Sequence, residues 1–191
     1  MHPEDQVSVG QRIAVVGTTG SGKTTLAAAL AQGIGAPHIE LDALFWGPGW
    51  QPVEPEHFRR AVAAATGGER WVTCGNYRTL VAEFVWRRAD TLVWLDYPLP
   101  LVIARLFRRS VTRAAAGVEL WQGNRESWRG QFLSRDSLFV WALKTHGKHR
   151  REYPEMLARP EYAHLRVHRV RSPRAAAALV GRAQPDAGIR R

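Results

Sequence analysis

Apolar residues occur along the chain in two alternating patterns. Short unbroken runs at 12–16 (RIAVV), 71–74 (WVTC) and 91–95 (TLVWL) lack the polar alternation of a half-exposed strand. Runs of that length, bounded by glycine, proline or charged residues, predict parallel strands covered on both faces. Two shorter strands are predicted over 38–41 and 165–170. Between the runs, longer segments place apolar residues at helical spacing and predict helices over 23–32, 55–66, 79–88, 99–112 and 131–153. Turns at 33–37 and Gly67-Gly68 separate helix from strand. Ser172 suits the cap of a last helix, with Pro173 at its first position. Five strands alternating with helices predict a three-layer α/β domain with a mainly parallel sheet. Residues 117–130, with three glycines and few aliphatics, interrupt the alternation.

The first strand runs into Gly17-Thr18-Thr19-Gly20-Ser21-Gly22-Lys23-Thr24, a full match to G-x-x-x-x-G-K-[ST], the Walker A pattern. A strand before and a helix after are the context this motif requires. Its glycines let backbone N–H groups turn inward toward phosphate oxygens, and the helix presents its positive end to the same charge. Lys23 then reaches the β- and γ-phosphates, the Thr24 hydroxyl ligates Mg²⁺, and Thr25 is the next hydroxyl, within reach of an α-phosphate. Expected cofactors are therefore ATP and Mg²⁺, with residues 17–25 as the binding loop. Only five strands are present, which suits a minimal kinase and leaves no room for helicase lobes. An N-K-x-D element for guanine reading is absent.

Composition narrows the class. The 191 residues are 45% hydrophobic and 23% charged, ordinary for a globular protein. One cysteine, Cys74, forms neither an intramolecular disulfide nor a zinc cage, so a reducing, cytoplasmic setting is expected. The polar start, Met1 to Arg12, gives no sign of a signal peptide, and no segment is long and apolar enough to span a bilayer. The net charge of +10 points to an anionic partner, nucleotide phosphate or nucleic acid. From Arg105 to Arg151 eleven basic residues face three acidic ones, so the excess is regional. Arg105, Arg109 and Arg113, four apart, share one helix face. Of eight tryptophans, Trp71, Trp86 and Trp94 read as core. Trp46, Trp50, Trp121 and Trp128 lie in Gly-rich or polar segments, where they line a pocket, stack on a base or anchor loops. Asp42 follows the second strand, at the sheet edge where open α/β folds bind ligands. Strand alternation would place Glu40 and Asp42 on one face.

Taken together, the segments 38–46 with Pro48-Gly49-Trp50, Cys74-Gly75-Asn76-Tyr77-Arg78, Leu95-Asp96-Tyr97-Pro98, Gly123-Asn124-Arg125-Glu126 and Arg171-Ser172-Pro173 resemble a known family. It is that of adenylate-kinase-like small P-loop kinases, and within them the bacterial DNA topology modulation (FlaR-type) proteins. The resemblance implies a five-stranded parallel sheet of order 2-3-1-4-5, an ATP site, an acceptor pocket and a lid. The domain is expected over 11–181 with a lid inserted at about 113–130, and with flexible termini at 1–10 and 182–191. By resemblance Arg105 lies over the adenine, Arg109 near the phosphates, and Arg78 on an acceptor anion. Asp42, as in shikimate-kinase-like enzymes, orients or deprotonates an acceptor hydroxyl, with Trp46 beside it. Arg125 and Arg129, on the lid, would close over the transferring phosphoryl group. The departure is Cys74, where adenylate kinases carry an aspartate that orders metal-bound water. That leaves metal ordering to Thr24, Asp96 or a carboxylate on another strand. The expected function is phosphoryl transfer from ATP to a small acceptor, a nucleotide or nucleoside. The alternatives are a nucleic-acid-associated NTPase and a weakly active nucleotide-binding regulator.

Overall fold

The computed structural model describes residues 9–116, 121–123 and 138–183, excepting the side chains of residues 78 and 113–116. The elements in chain order are β1 (Arg12–Gly17), α1 (Lys23–Ile34), β2 (His38–Glu40), α2 (Leu41–Phe45) and α3 (Pro55–Ala65). They continue with β3 (Trp71–Cys74), α4 (Glu83–Arg88), β4 (Thr91–Leu95) and α5 (Leu99–Ala116). The last three are α6 (Leu138–Leu157), β5 (Arg166–Val170) and α7 (Pro173–Ala183). The five strands form one parallel sheet of order β2-β3-β1-β4-β5, as expected.

Strand alternation divides the core into two layers. Ala14, Val16, Trp71, Leu92 and Trp94 face a cluster completed by Phe58, Val62, Trp86, Tyr153 and Tyr162. Ile13, Val15, Val72, Cys74, Val93 and Leu95 face the opposite cluster, with Leu26 and Leu30 of α1, Val102 of α5 and Leu179 of α7. Because both faces are covered, the three inner strands read as unbroken apolar runs. Trp71, Trp86 and Trp94 are all buried, which bears out their assignment to the core.

Three local features depart from the predicted pattern, each for a physical reason. The chain entering α4 begins with a wide π-turn, Arg78–Ala82, rather than an α-helical turn. The Tyr77 carbonyl accepts from Leu80 N–H and Val81 N–H at this turn. Second, α6 continues past Pro154 to Leu157, since its next residues pack on the core and proline costs only one bond near a helix end. Third, β2 stops at Glu40, and Asp42 lies in the first turn of α2. Glu40 and Asp42 therefore do not share a strand face. Ser172 behaves as expected, its Oγ accepting from Ala175 N–H at 3.2 Å.

Candidate active site

Parallel pairing brings the C-terminal ends of four strands to one edge. Gly17 is in register with Leu95, and both Val15 and Glu40 with Cys74. Strand order reverses at β1, so the 17–24 loop leaves the sheet at a switch point with neighbours on both sides. Gly17 has φ +147°, and a Cβ there would lie 2.7 Å from the Leu95 carbonyl oxygen, so only glycine fits. The loop closes with Ser21 N–H donating to the Thr18 carbonyl at 3.1 Å. α1 then starts at Lys23 with no side-chain cap, which leaves its first-turn N–H groups directed into the loop.

Lys23 Nζ donates to the Thr18 carbonyl at 3.2 Å. Loss of hydration holds the Lys23 pKa below its ordinary value, and Arg109 adds repulsion, while Asp42 and Cys74 act in the opposite sense. Arg109 and Asp42 thus both sit within electrostatic reach of this ammonium. Arg105 donates from Nη1 to the Ser21 carbonyl at 3.1 Å and lies over the Tyr97 ring, 5.0 Å from its centroid. The buried Ser21 hydroxyl has no hydrogen-bond partner among the described residues. A tight glycine loop, an orphaned hydroxyl and a desolvated ammonium fit a polyphosphate.

The β2 side of the edge carries a polar and aromatic group. Tyr77 donates its hydroxyl to Asp42 Oδ1 at 2.6 Å, and that hydroxyl is also hydrogen-bonded to Trp46. Burial raises the Tyr77 pKa, and the Asp42 carboxylate raises it further, so the phenol stays protonated. Phe45 packs against Tyr77 and, edge-on, against Trp46, with centroids at 4.6 and 4.8 Å. Trp46 meets Trp50 edge-on at 5.9 Å, and Trp50 meets Trp121 at 6.4 Å. Trp50 adopts φ +58°, unusual for an aromatic residue, at the end of a short 3₁₀ turn, Pro48–Trp50. Trp46, Trp50 and Trp121 are thus one partly exposed aromatic row, while Trp128 lies outside the described residues.

Cys74 closes the site from below. Its thiol donates to Thr24 Oγ1 at 3.9 Å and lies 3.4 Å from His38 Nε2. Burial pushes the thiol up to about 12, with Glu40 and Asp42 adding to the rise, so it is a neutral S–H. The donor set toward a divalent cation is thus the exposed Thr24 hydroxyl with Asp42 nearby and sulfur in place of a carboxylate. Asp96 does not belong to that set. It is buried, and its two oxygens accept from Arg150 Nε at 2.6 Å and Arg169 Nε at 2.9 Å. Its strand-end position is therefore that of an internal anchor, which corrects its place among the metal-ordering candidates.

The predicted residues divide clearly. Residues 17–25, Arg105, Arg109, Asp42 and Trp46 all lie around this edge. Arg78 follows Tyr77 in the chain, at the opening of the π-turn. Arg125 and Arg129 lie outside the described residues. Helix α5 carries the backbone of Arg113 and continues to Ala116, into the stretch expected as lid. Besides Tyr77, which holds Asp42, sequence reasoning missed two participants. His146, left without a role by its position in a basic segment, is buried with Nδ1 3.3 Å from Thr18 Oγ1. Asn76 holds the first loop residue with both ends of its carboxamide: Nδ2 donates to the Gly17 carbonyl at 2.6 Å, and Oδ1 accepts from Gly17 N–H at 3.1 Å. The signal for Asn76 was its place directly after the third strand and a glycine. Nothing in the sequence marks His146.

No protein-family model matches this chain. No curated protein matches it either. Solved structures do. A shikimate kinase from Acinetobacter baumannii in complex with shikimate superposes with a TM-score of 0.55 at 16% identity, covering 94% of this chain and 93% of that one. A shikimate kinase from Bacteroides thetaiotaomicron gives 0.53 at 18%, over 90% and 95%. A gluconokinase from Sinorhizobium meliloti 1021 gives 0.50 at 20%, over 91% and 89%. The likeness spans nearly the whole of each chain. The chain has the α/β fold of small P-loop kinases. No helix among the described residues is long and apolar enough to cross a membrane.

Proposed function

We propose that this protein is an ATP- and Mg²⁺-dependent phosphotransferase that acts on a small hydroxyl- or phosphate-bearing acceptor, with nucleosides and nucleotides the first class to test. The carrying observation is that the phosphate loop with Lys23 and the Asp42–Tyr77–Trp46 group converge on one sheet edge. When bound, Mg-ATP supplies the phosphoryl group, with the cation neutralising its oxygens. Lys23 and Arg109 hold positive charge where phosphate oxygens lie, and Thr24 offers the oxygen ligand for the cation. Asp42 orients the acceptor hydroxyl and takes its proton, its own position fixed by Tyr77. Trp46, Trp50 and Trp121 offer aromatic faces to a base or to the C–H face of a ring. By the family resemblance, Arg78 would hold an acceptor anion and Arg125 would close over the transferring phosphoryl group. Catalysis by such a group is positioning and electrostatics, with no covalent protein intermediate.

The segment Cys74-Gly75-Asn76-Tyr77-Arg78 at the end of β3 supports an adenylate-kinase-like subtype and the DNA topology modulation family within it. The basic excess gives a nucleic-acid-associated NTPase less support, since Arg105 is bonded to the Ser21 carbonyl and Arg150 to Asp96. The test is a screen for transfer from Mg-ATP to nucleosides, nucleoside monophosphates, gluconate and shikimate, with Lys23→Ala as control. At least one acceptor is expected to be phosphorylated, and Lys23→Ala is expected to lose about a thousandfold or more in turnover while keeping its circular dichroism spectrum. Full turnover in that variant would remove Lys23 from the mechanism.

A further inference from the structure

Helix α6 reaches the phosphate loop directly at Thr18 and, through Asn76, at Gly17. From α6, the Tyr153 hydroxyl donates to Asn76 Oδ1 at 3.1 Å, and Asn76 in turn pairs with both backbone groups of Gly17. Two turns earlier on the same helix, His146 Nδ1 shares a hydrogen bond with the Thr18 hydroxyl at 3.3 Å. Between them Arg150 binds Asp96 at the end of β4. Residues 146, 150 and 153 are four and three apart, so one helix face carries all three.

The Asn76 contacts continue the sheet by other means. Backbone pairing of β1 with β3 ends where Gly75 N–H donates to the Val15 carbonyl at 3.3 Å. One step on, the carboxamide of Asn76 replaces the missing strand, giving Gly17 one donor and one acceptor. The two Gly17 groups fix the amide orientation, since the N–H requires an oxygen and the carbonyl requires N–H, and the Tyr153 hydroxyl then donates to that same oxygen. Thr18, the next residue, is buried, and its carbonyl is where Lys23 Nζ rests. Whatever sets Gly17 and Thr18 therefore sets the mouth of the loop and the resting place of its lysine.

We propose that Asn76, gripped by Tyr153, and His146 are positioning residues that pre-form the phosphate loop for nucleotide binding. This inference rests on the phosphotransferase reading. A rigid loop is paid for in folding and not again on binding, so loosening it weakens phosphate affinity in a protein that is still folded.

The experiment is calorimetric titration of the full chain with Mg-ATP, with melting temperature measured in parallel without nucleotide. The variants are Asn76→Ala, Tyr153→Phe, His146→Leu and His146→Asn. An asparagine nitrogen or oxygen reaches the place of Nδ1, so His146→Asn is expected to stay within about twofold of wild type. Losing the contact in His146→Leu is expected to weaken Mg-ATP by about tenfold, and Asn76→Ala by at least as much. Tyr153→Phe deletes one hydroxyl and leaves the ring packed, with a loss of about threefold to fivefold expected. Should Asn76→Ala fail to fold, Tyr153→Phe and the two His146 variants still decide. Wild-type affinity in Tyr153→Phe and His146→Leu, whatever their melting temperatures, would overturn the positioning role alone. Absence of any Mg-ATP binding by the wild-type protein would overturn the phosphotransferase reading, and this inference with it.

Discussion

The Cys74 thiol lies between Thr24 and His38, at 3.9 and 3.4 Å, with Glu40 and Asp42 near enough to raise its pKa. A neutral thiol donates weakly to Thr24 and accepts poorly from metal-bound water. Under the proposed function, Cys74→Asp brings a carboxylate to the second shell of Mg²⁺. The Mg²⁺ concentration for half-maximal turnover is expected to fall severalfold. Without Mg²⁺ the same variant is expected to melt lower, because a third carboxylate joins Glu40 and Asp42 in a buried site. Turnover titrated against Mg²⁺, with melting curves at both extremes, checks both halves. A folded variant inactive at every Mg²⁺ concentration would show that the pocket is built around sulfur. At this scale the sequence was uneven as a guide. Lys23 and Thr24 are legible because the motif carries its own geometry. Asp96 is misleading because a strand-end aspartate looks the same whether it faces a metal or two arginines, and those arginines come from elements 54 and 73 residues away.

Between β3 and α4 the chain turns within a few residues, and the turn depends on Gly75. Its φ is +146°, and an added Cβ would lie 2.8 Å from Leu41 Cβ at the start of α2. That close approach brings Asn76 to Gly17 and Tyr77 to Asp42. Gly75→Ala is therefore expected to destabilise the protein by about 1–3 kcal/mol, from backbone strain and from displacing α2. Thermal or urea unfolding measures the loss, and an unchanged midpoint would mean that the turn tolerates a side chain. Elements of regular length were legible in the sequence, since β1, β3 and β4 announce themselves as apolar runs covered on both faces. Short or irregular ones were not. The four-residue strand expected over 38–41 becomes three residues and then a helix, with Leu41 kept in the same core cluster as Ile39, so burial alone did not distinguish the two. The π-turn at Arg78–Ala82 has no compositional signature at all.

For the molecule as a whole, the net charge of +10 means that each proton taken up on acidification adds to existing repulsion. Three histidines make the stability of the fold depend on pH. His146, His168 and His38 all have pKa values held below the ordinary 6.5, in each case chiefly by burial. Arg150 lowers His146 further against the pull of Asp96, Arg166 and Arg182 lower His168, and Glu40 partly offsets the shift at His38. In the unfolded chain all three titrate near 6.5, so below that pH the unfolded state binds more protons than the folded one. Stability then rises with pH across this window, is fully present above about 6.5, and declines as pH falls through the lowered folded values. The melting temperature is accordingly expected to drop between about pH 7 and about pH 5, before the carboxylates titrate. His146→Asn, which cannot take up a proton, is expected to flatten that slope while keeping its contact with Thr18. The comparison uses melting curves of both proteins at constant ionic strength. A wild-type curve flat from neutrality to pH 5 would show that the three imidazoles titrate alike in both states, while a steep curve equally steep in the variant would assign the slope to His38 and His168. The same measurement repeated with Mg-ATP tests the link to the site, since a ligand held by the native state raises the whole curve by mass action.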